Sequence, residues 1–222
     1  MSHTFDAITP STTAQVGAKD SSSNTAAISP VKTPVLSEII AYGRRIKLFT
    51  PQDWIRYSLW IGSILGLFLG TTSFVLFGWS QGVQWPGYVW FIPVGTFLFG
   101  GALCFDDIGH RTIYKNYLKQ GEGYIHQMIV ATAVPSVMAL CLCYQHGETF
   151  GIPALVLILL SFFYSAIDEA MHWYRYFTRG LDRVEMWSHF VAITGHALMI
   201  ACWWHWFRQG YPGVSETLAL LP

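Results

Sequence analysis

Four acid and histidine clusters recur along the chain: Asp106-Asp107-x-x-His110, Glu122-x-x-x-His126, Asp168-Glu169-x-x-His172 and Glu185-x-x-x-His189. Residues three and four apart share a helix face, so Asp107 with His110, Glu122 with His126, Glu169 with His172 and Glu185 with His189 can each present an oxygen and a nitrogen in one direction. Each pair is a two-donor arm for a metal ion, and mixed carboxylate and imidazole donors suit iron, manganese or zinc. The plainer use of such acids is a layer of ion pairs with Arg111, Arg175, Arg179 and Arg183, which does little chemically. An ion-pair layer gives no reason to follow every acid with a histidine at helical spacing, so the four together point to metal. Asp106, Asp168 and Asp182 stand where they could orient ligand imidazoles.

The elements that must position these arms are transmembrane helices. The chain has 222 residues, 52% hydrophobic and 12% charged, against roughly 25% charged in soluble domains. An apolar run of roughly 20 residues crosses a bilayer as a helix. Five such runs are predicted, at Arg56 to Phe77, Trp85 to Phe105, His126 to Tyr144, Ile152 to Met171 and Met186 to Phe207. The expected fold is an all-α integral membrane bundle over residues 56–208. A disordered cytosolic tail over 1–34, an interfacial helix within 35–55 and a short C-terminal tail over 209–222 complete the organisation. Residues 1–34 are rich in Ser, Thr and Ala and lack the apolar stretch of a secretory signal.

The linkers at 106–125 and 172–185 are long and basic, whereas Gly78 to Gln84 and Gln145 to Gly151 are short and nearly uncharged. By the positive-inside rule the N-terminus and both basic loops are cytoplasmic. All four arms then fall at the cytoplasmic ends of helices two to five. Gly62, Gly66 and Gly70 form a small-residue face that would let another helix approach closely. Pro135 is expected to kink the third helix. The two hairpins share an outline of acids and His, basic loop, then Glu-x-x-x-His, without a repeat that extends along their length.

Glu169-Ala170-Met171-His172 matches the Glu-x-x-His unit of di-iron carboxylate bundles, and Asp107-Ile108-Gly109-His110 resembles it with Asp for Glu. The other two arms space His four residues after Glu. The likeness is one of ligand logic over a few residues, and the His-rich boxes of membrane desaturases and hydroxylases are missing. His196 lies two turns beyond His189, about 10 Å deeper; it is either a further ligand of a recessed site or a buried polar residue bonded to a neighbouring helix. The four cysteines, Cys104, Cys141, Cys143 and Cys202, fall in apolar runs without C-x-x-C spacing and read as packing residues.

The functional expectation is a membrane oxidoreductase, monooxygenase or desaturase in type, with two iron ions acting on a lipophilic substrate with O₂. With no flavin, nicotinamide or iron–sulfur motif, electrons would come from a separate donor protein. Zinc in a membrane hydrolase, or haem in an accessory or structural subunit, are the alternatives. Zero formal net charge offers no argument for nucleic acid as a partner.

Overall fold

The computed structural model describes residues 34–115, 121–179 and 183–221, and these are mostly helical, with no strand among them. The expected tail over 1–34 lies outside the described residues except for Pro34. Helix α1 (Val35–Gly43) and a short 3-10 turn (Arg44–Leu48) precede α2 (Pro51–Ser80). Helix α2 starts earlier than hydropathy suggests because Thr50 and Asp53 cap it reciprocally. The Asp53 amide donates to Thr50 Oγ1 at 3.2 Å, the Thr50 amide donates to Asp53 Oδ2 at 3.0 Å, and Pro51 fills the first turn. A 3-10 turn (Gly87–Trp90) leads into α3 (Phe91–Thr112).

Four helices are long and apolar enough to cross a membrane: Pro51–Ser80, Gly87–Thr112, Gly123–Thr178 and Arg183–Arg208. The third has 56 residues, about 84 Å if straight at 1.5 Å per residue, nearly three times the hydrocarbon core. It is not straight. His146 has φ −132° and ψ 47°, and beyond it the chain returns, since His126 Nε2 lies 3.0 Å from Asp168 Oδ1 and Glu122 pairs with Arg175. We therefore describe two helices, α4 over residues 123–145 and α5 over residues 147–179. They are followed by α6 (Arg183–Arg208) and α7 (Val214–Leu218). Five crossings in a membrane-embedded, multi-pass bundle result.

Two local expectations are corrected. Residues 145–151, read as a linker, are helical apart from His146, whose non-helical dihedrals set the chain reversal eleven residues after Pro135. Among the described residues no helix comes close to the Gly62, Gly66 and Gly70 face, since a Cβ on any of the three would find nothing within 4 Å.

The close helix crossing is elsewhere, between α3 and α6. A Cβ on Gly95 would come within 2.6 Å of the Met199 amide nitrogen, and one on Gly195 within 2.6 Å of the Phe99 amide nitrogen. Backbones can approach this closely only where side chains end at hydrogen. At the same end of the bundle as residue 85, Trp85 packs on Gly78 and Gly213, and the Tyr211 hydroxyl donates to the Leu140 carbonyl. The chain after α6 is thereby folded back onto the core, with Tyr211 and Val214 buried.

Replacing Gly195 by Ala must displace backbone, and overpacking of this kind destabilises by about 1–3 kcal/mol. We expect Gly195→Ala to lower the thermal unfolding midpoint in detergent, whereas Gly62→Ala leaves it unchanged or raised. Equal midpoints for the two variants would contradict the crossing.

Candidate metal centre

The four arms meet at one end of the bundle. Asp106 and His110 lie near the end of α3, and Glu122 and His126 at the start of α4. Asp168 and His172 lie towards the end of α5, and Glu185 and His189 at the start of α6. All of these side chains are buried except His126, which is partly exposed. Three sets of donor atoms each lie within 4.8 Å of one another: His110, His172 and His189; His110, Glu122 and His126; and Glu122, Asp168 and His172.

The contacts fall into two matching halves. His110 Nδ1 faces the Asp106 carbonyl at 2.9 Å and His172 Nδ1 faces the Asp168 carbonyl at 2.8 Å. His110 Nε2 lies 3.0 Å from Glu122 Oε1, and His172 Nε2 lies 3.3 Å from Glu185 Oε1. Asp106 Oδ1 lies 2.8 Å from His189 Nε2, and Asp168 Oδ1 lies 3.0 Å from His126 Nε2. Exchanging α3 and α4 for α5 and α6 maps each contact onto its counterpart. All four arms then share one spacing, acid four residues before histidine.

Protonation follows from the carbonyl contacts. A carbonyl oxygen only accepts, so Nδ1 of His110 and of His172 must carry the proton, an assignment made from the hydrogen-bond network. In a neutral imidazole Nε2 is then a bare acceptor. Yet His110 Nε2 faces a carboxylate oxygen, and His172 Nε2 sits 3.4 Å from Glu122 Oε1 and 3.3 Å from Glu185 Oε1. Acceptors converging in this way are stabilised by a proton on each ring or by a cation between them. His172 Nε2 and Glu185 Oε2 are buried without a hydrogen bond, while Asp106 Oδ1 and His189 Nε2 face each other at 2.8 Å; such a set is costly unless something positive completes it.

Charge points the same way. Asp106, Glu122, Asp168 and Glu185 are opposed by one buried guanidinium, Arg175. Arg175 donates through Nη1 and Nη2 to both oxygens of Glu122, with Nη2 to Oε1 at 3.0 Å, and Nη2 reaches Glu185 at 3.4 Å. Glu122 lies one residue before the apolar span. Burial would raise its carboxyl, but the hydrogen bonds it accepts from Arg175 and from His110 as an imidazolium outweigh that and hold it down at about 2.

Of the residues read from sequence as ligands, His110, Glu122, His126, His172, Glu185 and His189 are brought together. Asp107 turns away, accepting from Arg111 Nε at 2.9 Å. Glu169 accepts from Trp173 Nε1 at 2.7 Å and stays at the margin, with Oε2 3.8 Å from His189 Nδ1. His196 stands apart, stacked between Phe99 and Phe162. The carboxylates facing inward on α3 and α5 are Asp106 and Asp168, which sequence reasoning had placed behind the ligands. Arg175 was read only as an ion-pair partner. The uniform acid-x-x-x-His series was the available signal for both aspartates. Asp182 lies outside the described residues.

A cavity of about 440 Å³ adjoins the cluster. Asp106, His110, His126, Asp168 and His189 form its polar end, and Trp60, Phe99, Leu103, Ile129, Val130 and Ile193 are among its apolar walls. The adjacent acids offer a direct check on the geometry. Asp106→Asn should lower tightly bound metal by tenfold or more, on the order of a lost ligand or orienting group, while Asp107→Asn leaves it unchanged, both read by elemental analysis. The reverse order would mean that the outward acid is the ligand. No family model matches the sequence, and no curated protein and no solved structure is significantly similar to it.

Proposed function

We propose that the protein is a membrane oxidoreductase in which the two matching halves of the cluster hold two iron ions, and O₂ oxidises a lipophilic molecule lying in the adjoining cavity. The observation that carries this reading is the buried set of converging carboxylate and imidazole donors, of which Asp106, His110, His126, Asp168 and His189 line an apolar-walled cavity. Eight donor side chains exceed the three that catalytic zinc takes from protein, and carboxylate with imidazole and no thiolate favours iron or manganese over copper(I). Iron held in this way with open positions supplies O₂ activation.

The chain's own residues then have distinct tasks. Glu122 lies between His110 and His172, so its carboxylate is placed to serve both halves. Arg175 fixes Glu122 and offsets part of the negative charge. His126, with its side chain 26% exposed, faces the cavity. The apolar walls exclude water and favour a hydrocarbon framework. Electrons come from a separate donor protein, because the sequence carries no motif for a flavin, nicotinamide or iron–sulfur group. The surplus of Lys and Arg at this end of the bundle supports a cytoplasmic side for it.

Elemental analysis of gently purified wild type beside His172→Ala and Glu185→Ala tests the reading. We expect about two irons per chain, the stoichiometry of carboxylate-bridged centres, falling below half in either variant, and O₂ uptake that needs both iron and a reductant. One zinc per chain with esterase or peptidase activity would replace it by the hydrolase reading. No stoichiometric metal in a folded wild type would leave a cluster of imidazolium and carboxylate ions.

A further inference from the structure

The cavity runs from the donor cluster to His196, seven residues beyond His189 and about 10 Å further along α6. His196 is 3% exposed. Its ring is sandwiched between Phe99 of α3, with centroids 5.2 Å apart and planes at 26°, and Phe162 of α5, at 4.9 Å and 23°. Two phenyl rings cover both faces of the imidazole, so only its edge, which carries the two nitrogens, remains available. Neither nitrogen hydrogen-bonds to a described residue, and the side chain lines the cavity. Packing alone does not explain such a residue, since a phenyl ring would fill the same slot without turning a donor and an acceptor towards a largely apolar cavity.

Position decides what can meet that edge. His196 is at the middle of α6, about 20 Å from either helix end at 1.5 Å per residue, where a charged group is costly. A partner must therefore be neutral, must bear an oxygen able to lie in the plane of the ring, and must otherwise suit apolar walls. Hydroxyl and carbonyl oxygens both qualify, because a neutral imidazole offers one N–H and one lone pair. A cavity of about 440 Å³ is in the range that accepts a small ring or a medium-length chain.

We propose that this cavity binds a neutral lipophilic molecule by one hydroxyl or carbonyl oxygen, held at the edge of the His196 imidazole, with its carbon framework extending towards the donor cluster. Quinones and long-chain alcohols share this chemistry. Binding itself needs no metal; the inference rests on the proposed oxidoreductase reading only for what becomes of the bound molecule.

Saturation binding to the full chain in nanodiscs tests it, with three radiolabelled probes: a short-chain alkyl benzoquinone, 1-dodecanol and dodecane, each corrected for partition into empty discs. In wild type at least one oxygen-bearing probe binds about tenfold tighter than dodecane, the factor of one net hydrogen bond. His196→Phe, which keeps the aromatic stack, abolishes that margin without weakening dodecane, while His196→Gln retains most of it. The margin for benzoquinone or for dodecanol tells a quinone from an alcohol. Equal binding of all three probes by wild type, a parallel loss of dodecane in His196→Phe, or loss of bound metal in that variant would overturn the proposal. The wild-type comparison stands even if the variant does not fold. Oxygen-selective binding in a wild type that carries no metal would sink the oxidoreductase reading and leave this one intact.

Discussion

The constraint on which the bundle depends is the burial of four carboxylates and three histidines at one end, with a single guanidinium among them. In low dielectric such groups persist only when paired and hydrogen-bonded or when they hold a cation. They must also be held in place by something stiffer than themselves. That stiffness comes from the α3 and α6 crossing, where Gly95 and Gly195 let the backbones meet, and from there the two helices carry Asp106 and His189 to within 2.8 Å of each other. The second fixed point is the hairpin at His146, which brings residues 42 apart in sequence, His126 and Asp168, to 3.0 Å. The crossing lies in the apolar part of the bundle and the hairpin at its far end, where His146 is exposed beside Gln145 and Glu148, so neither is part of the cluster it arranges.

Much of this was legible in the sequence, for identifiable reasons. Long apolar runs have few alternatives to spanning a bilayer, because unsatisfied backbone is intolerable there, so fold class and crossings followed from composition. The convergence of the arms followed from counting crossings. What hydropathy could not resolve was detail finer than a helical turn. Asp106 and Asp107 are equally acidic neighbours, and helix faces accept spacings of three and of four. The choice between them is made by Arg111, which draws Asp107 outward. Likewise Trp173 engages Glu169 while Asp168 faces the cluster. Small-residue spacing pointed to the wrong helix face because Gly-x-x-x-Gly states that close approach is permitted, not that a partner is there, whereas Gly95 and Gly195 lack any such motif in sequence.

The two halves of the cluster are matched in three kinds of contact, and this makes their one large difference informative. Arg175 stands three residues after His172; the position three after His110 is Ile113. In one half an isoleucine joins a small apolar cluster with Tyr42 and Ile108, and in the other a guanidinium spans Glu122 and Glu185 and lies 5.8 Å over the Tyr114 ring. An arginine in that place gives Glu122 and Glu185 a permanent cation as partner, whereas Asp106 and Asp168 are met by imidazoles, so donors that are equivalent by geometry are not equivalent by charge. Ions held in the two halves would feel different fields from one nearly symmetric scaffold. Equal halves would give two ions the same task. This scaffold instead presents any ion it holds with two carboxylates already engaged by Arg175, Glu122 and Glu185, and two, Asp106 and Asp168, whose partners are imidazoles.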